Sequence, residues 1–228
     1  MTLRSSEIYQ ELRRRILTGE LAPGHRLVVR RLSEEFGCSD IPVREALRSL
    51  EGDDLIEIAP YRGAQVRIYR PDEVREAYLI RANLEAAATG AAADFVDDET
   101  LAQLERLIEQ MDDVLSTEDV TGFSALNREF HELIFCACPY RRLQELISNV
   151  WDGHVGMVTV MRLHPERLHR SNEEHRAILA ALRARDAELA SRLACQHKLR
   201  VGDDLVAALM EEDERAARTA TTDEVPLP

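Results

Sequence analysis

The order of apolar and polar residues divides the chain into two regions. Residues 1–70 combine short helical patterns with one alternating, extended pattern, whereas from residue 71 to about residue 212 apolar positions recur at helical spacing throughout. The pattern predicts a mostly α-helical protein with two domains, a small mixed domain over residues 1–70 and an all-helical bundle over residues 71–212. Residues 213–228 show no periodicity, which predicts a disordered tail.

The first region begins with two helical segments. In the first, apolar residues at helical spacing run as far as Gly19, and a Pro23-Gly24 turn follows. A second helix is predicted over residues 29–36, with Gly37 just beyond its last turn as the residue that ends it.

The third helix of this region has two opposite faces. Ser39 is its predicted N-cap, and Pro42 is tolerated in the first turn because no intrahelical donor is needed there. Ile41, Arg44 and Arg48 share one face at positions i, i+3 and i+7. The residues of the opposite, apolar face are Val43, Ala46, Leu47 and Leu50. One face is expected to pack and the other to reach outward.

A β-hairpin follows the third helix. The segments LIEI and AQVRI both alternate, and a Pro-Tyr-Arg-Gly tip that contains Arg62 separates them. The predicted inward residues are Ile56, Ile58, Ala64, Val66 and Ile68. Three short helices and a closing hairpin predict a winged helix-turn-helix, whose third helix enters the DNA major groove. The alternative is a small helical domain with a solvated, charged face.

Charge is distributed unevenly between the two regions. The chain has 29 basic and 42 acidic residues, a net charge of -13, which is unusual for a nucleic-acid binder. Residues 1–70 hold 12 Arg and 11 acidic residues, so the acidity belongs to the second region. All but one of the basic residues are Arg, the side chain suited to bidentate contacts with phosphates and bases. DNA binding by the first region is therefore compatible with the composition.

Three stretches of the first region resemble the DNA-binding domain of the GntR family of bacterial transcription regulators. They are ILTGELAPGHRL, LSEEFGCSDIPVREALRSLEGDDLIEI and the glycine of YRGAQV. The resemblance implies contacts to base edges or phosphates from the start of the second helix, the third helix and the wing. The candidate DNA-contacting residues are Arg30, Arg31, Ser39, Asp40, Ile41, Arg44, Arg48 and Arg62.

Asp40 departs from the family pattern, in which arginine is common at this position. A carboxylate repels phosphate but accepts a hydrogen bond from a cytosine amino group, so one interpretation is an altered operator sequence. The other is that Asp40 interacts favourably with the N-terminal dipole of its own helix.

Three of the seven histidines lie in amphipathic helices of the second region. His131, His175 and His197 each neighbour apolar residues, where a buried imidazole needs a partner. Three imidazoles from three helices can meet inside a bundle and hold zinc or another first-row divalent ion. The alternative is that each is an ordinary hydrogen-bonded core histidine.

The second region resembles the FCD effector domain, which forms the C-terminal half of FadR-type GntR regulators. The resemblance rests on the RxxLE that begins at Arg81, the NxxxH that ends at His131, the EHRAI around His175 and the late His197. It implies an antiparallel bundle of six or seven helices that binds a small carboxylate, often through a metal.

Carried onto this sequence, the resemblance implies a divalent metal, zinc or nickel, on Asn127, His131, His175 and His197, with Arg81 on the carboxylate of a small organic acid effector. Asn127 replaces the commoner aspartate and leaves the site one negative charge short. For Arg81, the alternative is a structural ion pair with Glu85, one turn along the same helix.

These observations predict a cytoplasmic transcription regulator that binds double-stranded operator DNA as a homodimer and responds to a small organic acid. The sequence shows no signal peptide and no apolar run long enough to span a bilayer, and its four cysteines form no CxxC pair. One alternative is a constitutive DNA-binding protein whose helical region only dimerises. A metal-dependent hydrolase is disfavoured, because Glu132 follows His131 but the second histidine of an HExxH motif is absent.

Overall fold

In the computed structural model, the chain divides into two compact units. The first covers Met1–Ile68 and, of the later described residues, 148–152, whereas the second covers Tyr69–Ile147 and the described residues from 165 onward. The structure describes residues 3–59, 63–117, 119–152 and 165–222. Nine helices and three short strands occur within these ranges, which confirms the predicted mostly helical fold with a small antiparallel sheet.

The first unit is a winged helix-turn-helix. Its elements are α1 (Leu3–Leu17), β1 (Arg26–Leu27), α2 (Val29–Phe36), α3 (Asp40–Gly52), β2 (Ile56–Ala59) and β3 (Gly63–Val66). The strands form one antiparallel sheet in the order β1-β3-β2. Gly37 ends α2 with a φ of 60°, the left-handed conformation that glycine adopts without strain. The predicted apolar face of α3 is buried against Ile8, Leu12 and Ile16 of α1.

In the hairpin, the burial of two isoleucines differs from the burial that the alternating pattern predicts. Ile56 and Val66 face each other across β2 and β3 and are buried, as predicted. Ile58, nearer the hairpin tip, is 40% exposed, and Ile68, beyond the end of β3, is 57% exposed. Alternation identifies the face of a strand on which a side chain lies, but it does not say how far along the strand the core extends. The prediction that Ile58 and Ile68 point into the core was therefore wrong.

The second unit is built from helices. They are α4 (Pro71–Ala92), α5 (Asp98–Ser116), α6 (Val120–Ala137), α7 (Arg141–Asp152), α8 (Pro165–Arg183) and α9 (Ala187–Thr222). Of α7, only the part up to Ile147 belongs to this unit. Helix α9 continues ten residues past residue 212, so the disorder predicted from residue 213 is corrected for residues 213–222. This stretch, DERAARTATT, has no apolar stripe, and its three Ala, two Arg and one Glu are the residues in it that favour helix. Residues 223–228 lie outside the described residues.

Helices α4 and α9 form the most extensive contact of the second unit. A Cβ atom added at Gly202 of α9 would lie 2.6 Å from the Cβ of Tyr78 on α4, closer than two such atoms can approach. We therefore expect Gly202→Ala to lower the free energy of unfolding by about 1–3 kcal/mol, as overpacking typically does. Gly52→Ala is the matched control, since nothing lies within 4 Å of a Cβ there. Equal urea-unfolding curves for the two variants would contradict this close approach.

Candidate DNA-binding face and metal centre

Helix α3 presents the predicted outward face to solvent. Ile41 is 69% exposed, and the side chain of Arg44 is 63% exposed, while the opposite face of the helix is buried. Arg48 is also exposed, one turn further along. Among the described residues, the one acidic group within ion-pair distance of Arg44 is Asp40, 3.9 Å from Nη2 to Oδ2. Such a distant pair between exposed side chains holds Arg44 only weakly.

Two predicted contact residues lie on α2, and a third lies at the wing tip. Arg30 pairs with Glu34 through Nε and Oε1 at 3.1 Å, with both side chains mostly exposed. Arg31 is exposed and has no acidic partner among the residues that the structure describes. Arg62 falls in the segment 60–62, outside the described residues, so its position stays a prediction.

The turn between α2 and α3 is fixed by a side-chain hydrogen bond. Ser33 Oγ donates to Oδ1 of Asp40 at 2.8 Å, which ties the two helices of the helix-turn-helix together. Asp40 occupies the first turn of α3, where a negative charge is favourable. Ser39 is the N-cap by its backbone position, but its side chain makes no capping hydrogen bond. Sequence reasoning missed the Ser33 contact because it joins two different helices.

The second unit brings the three predicted histidines together. His131 on α6, His175 on α8 and His197 on α9 are 3%, 0% and 1% exposed. Their ring centroids lie 4.8–5.4 Å apart. One ring nitrogen from each lies within 4.8 Å of the others, a spacing that one metal ion can bridge. Residues separated by 66 positions in sequence thus form one buried cluster.

Aromatic packing explains why two of these imidazoles point inward. The Phe130 ring lies 4.6 Å from the ring of His175 and 5.3 Å from that of His131, measured between centroids. Phe130 and Ile134 lie on the buried face of α6 with His131. The same amphipathic stripe that forms the core therefore carries the histidine into it.

The ring nitrogens differ in their partners. Nδ1 of His197 lies 2.7 Å from Oε2 of Glu174, so a neutral His197 donates from Nδ1 and keeps a lone pair on Nε2. Glu174 is itself held by Arg167 at 2.8 Å and Arg200 at 3.2 Å. A carboxylate behind a histidine is the usual support of a metal-ligating imidazole, because it fixes the tautomer and ring orientation.

His175 is the exception, because neither of its ring nitrogens has a hydrogen-bond partner among the residues that the structure describes. It is fully buried, and an unsatisfied buried polar group costs about 1–3 kcal/mol. A metal ion on one nitrogen would remove part of this cost. The donor set of the cluster therefore fits a divalent metal.

The environment keeps the three imidazoles neutral. Burial lowers the pKa of each well below its usual range, and the nearby positive charge of Lys198 lowers the pKa values of His131 and His197 further. A metal ligand must be deprotonated, so these imidazoles are in the ligating form at neutral pH.

The lowered pKa values predict a pH-dependent stability for the metal-free protein. Between the folded and unfolded pKa values, the unfolded chain binds more protons, so stability is present above about pH 6.5 and is lost as the pH falls below it. We expect EDTA-treated protein to lose about 1 kcal/mol of unfolding free energy per buried histidine between pH 6.5 and pH 5.5. Urea unfolding at both pH values measures this. An unchanged free energy would contradict three buried neutral imidazoles.

A buried group of charges adjoins the histidine cluster. Arg81 and Glu85 pair through Nε and Oε1 at 2.9 Å, and Oε2 of Glu85 lies 3.2 Å from Nζ of Lys198. Lys198 Nζ also lies 3.0 Å from Nε2 of His131. Burial lowers the pKa of Lys198 to about 7, although its pairing with Glu85 opposes the change. The intrahelical Arg81–Glu85 pair, one of the two sequence interpretations, is present.

Sequence reasoning missed two residues of the site. Glu174 was visible only as the neighbour of His175, and Lys198 only as the single lysine of the chain, directly after His197. The chain has one lysine and 28 arginines, and this rarity was the sequence feature that could have identified Lys198. Asn127, the fourth predicted ligand, lies one turn before His131 on α6 and is half-buried.

A winged helix-turn-helix unit followed by a helical unit defines a helix-turn-helix transcription regulator. Residues 4–66 match the family of bacterial regulatory proteins called the gntR family, and residues 76–200 match the FCD domain. The chain belongs to the GntR family of regulators, in the branch with an FCD domain. The resemblance inferred from the motifs is confirmed.

Relatives and solved structures agree with this assignment. The chain is 32% identical to the uncharacterized HTH-type transcriptional regulator YdhC of Bacillus subtilis, over 84% of this chain and 86% of the relative. It is 30% identical to the HTH-type transcriptional repressor RspR of Escherichia coli, over 88% of each chain. The structure of E. coli McbR/YncC shares 26% identity with a TM-score of 0.70, covering 93% of this chain and 99% of McbR.

Proposed function

We propose that this protein is a ligand-responsive bacterial transcription regulator that binds operator DNA as a homodimer in the cytoplasm. Its DNA affinity is controlled by a small carboxylate that binds near a metal ion in the second unit. The observation that carries the sensing role is His175, a fully buried imidazole whose two nitrogens have no partner within the described part of the chain and which lies between two other neutral imidazoles. The exposed α3 face supports the DNA-binding role.

The metal proposal assigns His131, His175, His197 and Asn127 as the protein ligands. When bound, zinc or nickel supplies a fixed positive charge for an anion. Four neutral donors do not compensate this charge, and a buried, uncompensated charge is costly. A carboxylate that joins the ion would reduce this cost, so the missing acidic ligand favours an anionic effector.

Arg81 is proposed to contact the effector carboxylate on its other side. It is 7% exposed and pairs with Glu85. An arginine can hold two carboxylates because its guanidinium carries five N–H donors. Within the described residues, the Arg81–Glu85–Lys198 group has two potential cations and one anion, so an added carboxylate also improves the local charge balance.

Dimerisation is proposed because one short recognition helix provides limited specificity. Two-fold symmetric operators are read by paired half-sites, one turn of DNA or a multiple of it apart, which matches the symmetry of a dimer. Sedimentation of the full chain should therefore show a dimer.

An enzymatic role is less well supported. Glu132, the residue that a helical zinc hydrolase would use as its base after His131, is exposed and pairs with Arg128 at 2.6 Å. It lies on the solvent side of α6, away from the buried His131 face.

No described helix is both long and apolar enough to cross a membrane.

Gel-shift titration of the full chain tests regulation by ligand. The DNA is a site selected by the protein from random sequences, and the protein is used with EDTA, with zinc, and with zinc plus each member of a carboxylic acid panel. Allosteric coupling typically changes affinity about 5- to 150-fold, so at least one acid should change DNA affinity within that range only when zinc is present. Identical affinity under all conditions would favour a constitutive DNA-binding protein.

A further inference from the structure

Lys198 is the only lysine of the chain, and it is buried beside the histidine cluster. It lies on α9, directly after His197, and is 3% exposed. Its Nζ lies 3.0 Å from Nε2 of His131 and 3.2 Å from Oε2 of Glu85. A lysine seldom occupies such a position, because burial of an ammonium is costly without a partner.

While Lys198 is protonated, its contact with His131 defines the state of that ring. A protonated lysine carries three N–H donors and no lone pair, so it can only donate to Nε2 of His131. Nε2 must then be the unprotonated nitrogen of a neutral ring. The lone pair that accepts the lysine N–H is the same lone pair that would coordinate a metal ion through Nε2.

We propose that Lys198 and a divalent metal ion compete for Nε2 of His131, so that this lysine sets the metal affinity of the cluster. The inference rests on the proposed metal site. In the state described here, Lys198 holds His131. A metal that enters the cluster takes the lone pair of Nε2, and Lys198 withdraws from the ring.

The charge of Lys198 acts in the same direction as its hydrogen bond. A positive charge within a few ångströms of a divalent cation disfavours that cation strongly in a buried site. Glu85 offsets only part of this charge, since its other oxygen already pairs with Arg81. The cluster therefore accepts metal less readily than three neutral imidazoles alone would.

Removal of the lysine charge leaves the Arg81–Glu85 ion pair in place. Without Lys198, Arg81 and Glu85 remain as a one-to-one pair at 2.9 Å. Methionine has a similar length and an apolar end, so Lys198→Met fills the space without a cation. Lys198→Gln is a second neutral variant, and Lys198→Arg retains both the charge and the N–H donors.

Calorimetric titration with zinc alone tests the competition. The proteins are full-length, free of a His-tag and stripped of metal, and circular dichroism confirms that each is folded. We expect Lys198→Met and Lys198→Gln to bind zinc about tenfold more tightly than the parent protein or more, and Lys198→Arg to bind no more tightly than the parent. Arg192→Met, an exposed change on the same helix, is the matched control and should leave the affinity unchanged.

The outcomes separate this inference from the proposed metal site. If the neutral variants and the parent protein bind zinc equally well, the competition is wrong and the metal site stands. Weaker binding by the neutral variants would make Lys198 a metal ligand and would also overturn the competition. If none of the proteins binds zinc, the metal site itself fails, and the inference fails with it.

Discussion

Arg44→Ala should abolish specific operator binding. Arg44 is the arginine of the PVREAL motif, and its side chain extends from the exposed face of α3 with only a distant acidic neighbour. An arginine that reads a guanine contributes about 1–3 kcal/mol of discrimination per site. Two half-sites double this, so we expect a roughly 30- to 20,000-fold loss of affinity for the specific site. Gel-shift titration on the selected operator measures the loss.

Two comparisons show whether Arg44 reads bases or contacts phosphates. Arg31→Ala should lower the affinity for specific and for nonspecific DNA to the same extent. It should also reduce the slope of log affinity against log salt concentration, as expected for a phosphate contact. Arg44→Ala should instead remove the preference for the operator over random DNA. Arg192→Ala in the second unit is the control for loss of a positive charge. Unchanged affinity and unchanged sequence preference would remove Arg44 from the set of base-reading residues.

His175→Gln should remove zinc binding and, with it, the response to the effector. Outer-shell partners of a metal typically contribute 10- to 100-fold in affinity, and loss of a direct ligand should cost more than this. Zinc titration and the gel shift with carboxylic acids measure the two effects.

Two further variants test whether the loss of zinc binding is specific to the histidine cluster. His169→Gln is the matched control, since His169 is exposed on the same helix α8 and should be neutral. Glu174→Gln removes the carboxylate that holds Nδ1 of His197, so it should weaken zinc binding about 10- to 100-fold. Equal zinc affinity for the parent and His175→Gln would leave the three residues as core histidines.

Periodicity predicted the elements of this fold because most of its core lies on the faces of regular helices. The apolar stripe of α3 and the glycine at the end of α2 are both local features, and both are found as predicted. Ile58 was misjudged because its burial depends on what lies opposite a strand, which the strand's own alternation does not encode. The extension of α9 was missed because its last ten residues carry no apolar stripe, which was the signal that the prediction used.

The candidate site shows the same division between local and distant information. Each histidine lies on the buried side of its own helix. The convergence of His131, His175 and His197 could therefore be predicted from the sequence pattern together with the family resemblance. The contacts of Lys198 with His131 and Glu85 join helices that are 67 and 113 residues apart in sequence. No pattern within one helix specifies such contacts, which is why the charged neighbours of the cluster emerged only from the structure.

The metal content of the full-length protein, purified without a His-tag, tests the central claim most directly. After incubation with zinc or nickel and removal of excess ion, elemental analysis should find about one divalent ion per chain, as expected for a single three-histidine site. The same treatment of His175→Gln should leave the protein nearly metal-free, while His169→Gln should match the parent. A parent protein that retains no zinc or nickel, or a His175→Gln variant that retains as much as the parent, would contradict a metal centre formed by these histidines.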